Sequence, residues 1–123
     1  MKYLVTGCAG FIGFHLSKRL IEAGLDVTGI DNLNSYYEIT LKEHRLQELM
    51  NTGKFTFEKC DMAEMNQLSK VFEKFKPDVV VNLAAQPGVR YSITNPDVSL
   101  KNNINAFFNL LECCRQFGVS SLI

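Results

Sequence analysis

The sequence predicts an α/β chain, a doubly wound parallel sheet with strand order 3-2-1-4-5. Three observations predict it. Strand-like and helix-like segments alternate along all 123 residues. The first strand runs into a loop with glycines at 7, 10 and 13 that opens a helix. Residues 79–85 (VVVNLAA) form an apolar run without alternation, the pattern of a strand buried on both faces. Single-helix crossovers return the chain to the same end of the sheet, so the strands must be parallel.

Each element follows from its pattern. Residues 2–6 (KYLVT) are the first strand, and Ile12, Leu16, Leu20 and Ala23 recur at helical spacing until Gly24 stops the helix. Residues 26–30 (DVTGI) make a second strand ending in Asp31, with a loop over 33–37. A charged amphipathic helix covers 41–50 and ends before Gly53. Residues 55–59 (FTFEK) alternate as the third strand, and 63–75 carry Leu68, Val71, Phe72 and Phe75 on one helix side. After the fourth strand, 86–96 (QPGVRYSITNP) reads as a loop with two prolines. One long helix is expected over 97–117, closed by Gly118, and 120–123 (SSLI) begins a fifth strand. Repeats, low-complexity tracts and linkers are absent, so residues 1–123 read as one domain.

Composition narrows the function classes. A content of 46% hydrophobic and 21% charged residues is that of a soluble globular chain. Thirteen basic residues balance thirteen acidic ones, which argues against a dedicated nucleic-acid surface. Apolar runs stay below the roughly 18 residues of a membrane span, and the opening MKYLVTGC is too short for a secretory core. Cysteines 8, 60, 113 and 114 form neither C-x-x-C nor a zinc-spaced cluster. They read as reduced core thiols of a cytoplasmic protein with no metal site.

The glycine loop carries the chemistry. Placed between a strand and a helix, G-x-x-G-x-x-G is a phosphate cradle. Gly7 permits the tight turn, Gly10 lets backbone approach a pyrophosphate, and Gly13 lets the helix pack closely. The amides around Phe11 and Ile12 then point at the phosphates from the helix start. Asp31 stands 18 positions after Gly13, near the spacing at which a carboxylate accepts hydrogen bonds from an adenosine ribose. That carboxylate repels a 2′-phosphate, and no Arg or Lys lies between Asn32 and Leu41 to receive one, so NAD is expected over NADP. Asp61 has two readings, an adenine-side contact beside Met62 or a cap for the helix that follows. Ala84 and Ala85, after Leu83, leave room for a flat ligand at the switch point of the sheet.

Together these residues resemble the extended short-chain dehydrogenase/reductase family, with its Rossmann-type fold. The resemblance rests on residues 6–13 (TGCAGFIG), Asp31-Asn32-Leu33, Asp61, Asn82-Leu83-Ala84-Ala85 and Asn103. Residues 31–45 (DNLNSYYEITLKEHR) and 84–96 (AAQPGVRYSITNP) are similar to UDP-glucuronate 4-epimerases and close nucleotide-sugar epimerases. That subgroup holds NAD, takes a hydride from C4 of the sugar, lets the 4-keto sugar turn and returns the hydride to its other face. The resemblance implies cofactor contacts at Gly7, Gly10, Phe11, Ile12, Gly13, Asp31, Asn32, Asp61, Met62, Leu83, Ala84, Ala85 and Asn103. Asn103 is expected to tie the long helix to the strand-four backbone. Arg90 is read either as a cation for the substrate's diphosphate or uronate carboxylate or as a solvated arginine.

The resemblance also implies a Tyr-x-x-x-Lys catalytic pair. Four positions beyond Tyr3, Tyr36, Tyr37 and Tyr91 stand Gly7, Thr40, Leu41 and Asn95, so no catalytic residue is assigned. The expectation is an incomplete, truncated NAD-binding domain lacking the C-terminal substrate domain; the alternatives are a non-catalytic dinucleotide-binding module, or a sugar dehydratase, decarboxylase or reductase of the same family. A homo-oligomer is expected from the apolar residues of the long helix, which lines the family's dimer interface.

Overall fold

The computed structural model describes residues 1–123. Five strands form one sheet in the order β3-β2-β1-β4-β5, and every pairing is parallel. The strands are β1 (Lys2–Thr6), β2 (Asp26–Asp31), β3 (Phe55–Lys59), β4 (Val79–Asn82) and β5 (Ser121–Leu122). Between the first four lie α1 (Phe11–Glu22), α2 (Ile39–Met50) and α3 (Met65–Phe75). The expected fold class and strand order both hold.

Neighbouring residues of a strand point to opposite faces, and the core divides accordingly. Val5 packs with Phe14 and Ile21 of α1 and with Leu46 and Leu49 of α2. Its neighbour Leu4 packs on the other face with Leu68, Val71 and Phe72 of α3 and with residues of the last helix. The neighbouring strand β4, with Val79, Val80 and Val81 all buried, reads as an unbroken apolar run.

The structure corrects three expectations. Residues 86–96 are not all loop, since α4 (Val89–Thr94) forms inside them and Pro96 opens α5 (Pro96–Leu100). Proline suits that first helical position, where its missing N–H is not needed. The long helix is composite: α5 passes through a π-helical turn, Lys101–Asn105, into α6 (Ala106–Gln116). Finally, β4 ends at Asn82 rather than residue 85. The Thr6 hydroxyl accepts the amides of Leu83 and Ala84, both at 3.0 Å, and draws the chain off the ladder.

Candidate functional site

A cavity of about 360 Å³ opens at the carboxyl ends of the central strands, the position where open α/β sheets bind ligands. From the glycine loop it is lined by Gly7, Gly10, Phe11, Ile12 and Gly13. Asp31 and Asn32 line it after β2, and Asp61 and Met62 after β3. Leu83, Ala84 and Ala85 line it after β4. Twelve of the thirteen expected cofactor contacts thus line one cavity. The thirteenth, Asn103, lies outside the lining.

The loop geometry assigns its glycines physical tasks. Gly7 has φ +67°, and a Cβ there would stand 2.9 Å from the Ala84 backbone. Gly7 therefore serves the left-handed turn and the close approach of the β4 loop together. A Cβ on Gly13 would overlap the Gly7 carbonyl oxygen, so the first turn of α1 packs against the glycine turn itself. The amides of Gly7 and Cys8 both bond the Ile30 carbonyl, and that of Gly10 bonds Gly7. The Ala9 amide donates to Asp31 Oδ2 at 3.2 Å. The first helix amide with a backbone acceptor is that of Phe14, which bonds Gly10. Phe11, Ile12 and Gly13 are the first three residues of α1, so their N–H groups are the open donors of a helix start.

Asp31 is buried, with Oδ1 accepting the Leu33 amide at 2.8 Å and Oδ2 accepting Ala9. A carboxylate offers about four lone-pair sites, so two bonds leave it capacity for a diol. Burial, and then the Asp31 charge, push the Cys8 thiol up, which keeps it protonated behind the loop. Asp61 does not cap α3, whose N-cap is Glu64. The Asp61 Oδ1 accepts the Ala63 amide at 3.0 Å, as a turn-former does, while the residue lines the cavity. Asn109 of α6 anchors that loop by donating to the carbonyls of Met62 and Ala63.

Residues that the sequence analysis did not assign complete the site. Asn34, Tyr37, Lys42, Pro87 and Asn102 also line the cavity. Asn34 Nδ2 and Asn102 Nδ2 both donate to Gln86 Oε1, at 3.2 and 3.4 Å. Asn103 clasps the Gln86 backbone, accepting its N–H at 2.6 Å and donating to its carbonyl at 3.1 Å. This is the tie expected of Asn103, made one element beyond β4, and it explains why Asn103 stays off the wall. Arg90 sits exposed on α4, outside the lining, with no ion pair. Lys42 carried a readable signal: it lies four and seven residues before Leu46 and Leu49, on the buried face of α2.

A parallel sheet in this order, a glycine turn at its first β–α junction and a carboxylate ending its second strand define a Rossmann-type nucleotide-fold domain. The family model described as GDP-mannose 4,6 dehydratase matches residues 4–123. The chain belongs to that family, within the extended short-chain dehydrogenases/reductases that include nucleotide-sugar epimerases and dehydratases. It is 52% identical to Protein CapI of Staphylococcus aureus over its whole length, which is 36% of that protein. It is 44% identical to a UDP-glucuronate 4-epimerase of Thermodesulfobacterium geofontis, over 98% of this chain and 38% of the relative. Among solved structures it resembles the UDP-glucuronic acid 4-epimerase of Bacillus cereus in complex with UDP-glucuronic acid and NAD. The TM-score is 0.89 at 38% identity, over 99% of this chain and 38% of the other. The chain spans little more than a third of the length of these relatives.

Proposed function

We infer that this chain is the NAD-binding N-terminal portion of a nucleotide-sugar 4-epimerase of the UDP-glucuronate/UDP-galacturonate type. The observation that carries the reading is one cavity joining the open amides of Phe11, Ile12 and Gly13 to the Asp31 carboxylate. Open amides suit a pyrophosphate and a carboxylate with free lone pairs suits a ribose diol. Asp61 and Met62 would flank the adenine, and Leu83, Ala84 and Ala85 would floor the nicotinamide end. NAD, when bound, supplies a reversible hydride acceptor for a carbinol carbon. Residues of this chain bind and orient it; the substrate-side acid and base are assigned to none of them.

The sugar assignment draws support from the relatives named UDP-glucuronate 4-epimerase, at 44% identity, and from the B. cereus structure. Arg90, on the rim helix, is assigned to an oxyanion of the sugar nucleotide in the complete enzyme. No helix is long and apolar enough to cross a membrane, and a cytoplasmic enzyme fits the four unbridged cysteines. A homo-oligomer is supported by Leu100, Ile104, Phe107, Phe108 and Leu111, all exposed along α5, the π turn and α6. The family description itself favours a second reading, a sugar-nucleotide dehydratase.

Calorimetric titration of the chain with NAD, NADP and UDP-glucuronate tests the binding half. NAD is expected to bind, NADP more weakly and UDP-glucuronate hardly at all. NADP preferred over NAD would overturn the role of Asp31. Incubating the product of the complete open reading frame with UDP-glucuronate separates the two reactions, since epimerisation keeps the sugar's mass and dehydration removes one water.

A further inference from the structure

Lys42 is the one lysine on the buried face of α2, and it faces the cavity. It is 7% exposed. Its ammonium donates to the Asn34 carbonyl at 3.0 Å and to Asn34 Oδ1 at 3.3 Å, both neutral oxygens. It enters no ion pair, whereas Lys18, Lys74 and Lys101 on the surface each find a carboxylate. A cation withdrawn from water without a counter-charge is costly, and here the open side of that cation is a ligand cavity.

The position of the ammonium selects the anion. Asn34 follows β2 and bonds Gln86, which follows β4. Strand β1 lies between those two strands, so the Lys42–Asn34–Gln86 chain crosses above β1 and the glycine loop. Asp31 marks the ribose end on the β2 side, and the open amides of α1 mark the phosphate crossing. The glycine loop offers N–H dipoles but contains no cationic side chain. Arg45 braces the glycine loop itself, with Nη1 donating to the Ala9 carbonyl at 3.1 Å, and does not line the cavity.

We propose that Lys42 is the counter-charge for the pyrophosphate of the bound dinucleotide, closing on it opposite the α1 amides. The proposal rests on the NAD-binding reading above. Asn34 supplies stand-in acceptors that hold the ammonium at the cavity wall until a phosphate oxygen accepts a hydrogen bond from it. The lysine thereby reads the feature shared by NAD, ADP-ribose and NADP, and makes no distinction at the ribose 2′ position.

The test is equilibrium titration of the 123-residue chain and its Lys42→Gln variant with NAD, NADP, ADP-ribose and adenosine at two salt concentrations. Loss of one charge-assisted contact should weaken NAD, NADP and ADP-ribose alike by roughly tenfold or more, with a shallower salt dependence. Adenosine affinity should stay unchanged. Equal weakening of adenosine would reveal a merely structural lysine, and an effect on NADP alone would place it at the ribose; either overturns the proposal, as does unchanged affinity for all four. Should Lys42→Gln not fold, Asn34→Asp keeps the lysine and gives it an internal carboxylate. That variant should lose ADP-ribose affinity and keep adenosine affinity, and retained ADP-ribose affinity would again refute the idea. A parent chain that binds neither NAD nor ADP-ribose sinks the NAD reading and this proposal together. A parent that binds both while Lys42→Gln is unaffected sinks only this proposal.

Discussion

Replacing Thr6 with valine should damage the site without touching any expected ligand contact. Thr6 is fully buried at the end of β1. Its hydroxyl donates to Asn82 Oδ1 at 2.7 Å and accepts the amides of Leu83 and Ala84 at 3.0 Å. Both lone pairs and the proton are used, so this is a saturated hub. Valine nearly preserves the shape and strands two amides and one carbonyl oxygen. Each buried unsatisfied group costs roughly 1–3 kcal/mol. Asn82, Leu83 and Ala84 are each only partly buried, so the low end applies and the sum is about 3 kcal/mol. Against a typical domain stability of about 5–15 kcal/mol this is a large loss. With an m-value of about 2 kcal/mol/M, the urea midpoint should fall by about 1.5 M. Thr6→Ser keeps the hydroxyl and loses one buried methyl, so it should cost only about 1 kcal/mol. The order serine above valine is the diagnostic result. A valine variant within about 0.5 kcal/mol of the parent, or a serine variant below it, would show that packing rather than the hydroxyl holds the β4 loop.

Two further outcomes follow from burial. The Cys60 thiol is pushed up to about 12, by burial first and then by Asp61, and Cys114 to about 11, by burial and then by Cys113. A folded pKa above the unfolded value means that the protonated thiol's stabilisation is complete below about pH 8.5 and is lost as pH rises towards 11–12. The urea midpoint should therefore drop between pH 8 and 10, and Cys60→Ala should drop less; equal slopes would refute the account. On the surface, Phe108 is 63% exposed beside Ile104 and Leu111. If the chain self-associates through this face, Phe108→Glu should shift light scattering towards monomer while changing monomer stability by less than about 0.5 kcal/mol; an unaltered mass distribution would refute the homo-oligomer proposed through this face.

Which parts of this molecule could be read in advance follows from the range of the interactions that set them. The sheet order was legible because periodicity and crossover handedness are local rules, and Val79, Val80 and Val81 announce their own burial. The glycine loop was legible because turn geometry demands those residues at that spacing. Helix α4 was not: Gly88, Pro87 and the β-branched Val89, Ile93 and Thr94 disfavour helix locally. It forms where Tyr91 meets Tyr36, with ring centroids 5.1 Å apart, a contact across 55 positions of sequence. Lys42 was not legible as a site residue because it lies beyond the loop after β2, and only the packing of α2 carries it back into the cavity. The π turn has no local signature either, since it is recognised by its hydrogen bonds rather than by composition.

That π turn has a consequence for the site. Consecutive residues of an α-helix point about 100° apart, which would send neighbouring asparagines to different surroundings. In the wider turn at Lys101–Asn105 both Asn102 and Asn103 reach Gln86, one its side chain and the other its backbone. Gln86 is thereby gripped from the α5–α6 side while Asn34 holds it from the β2 side. Thr6 fixes the two amides just before it from β1. The segment from Leu83 to Gln86 is thus irregular backbone with a determined shape, tied to β1, to the loop after β2 and to the π turn. Irregular chain at a switch point can leave an open crevice only if its polar groups are satisfied from outside the crevice. These hydrogen bonds do that for the amides of Leu83, Ala84 and Gln86 and for the Gln86 carbonyl, and Ala84 and Ala85, small and without polar side chains, line the cavity.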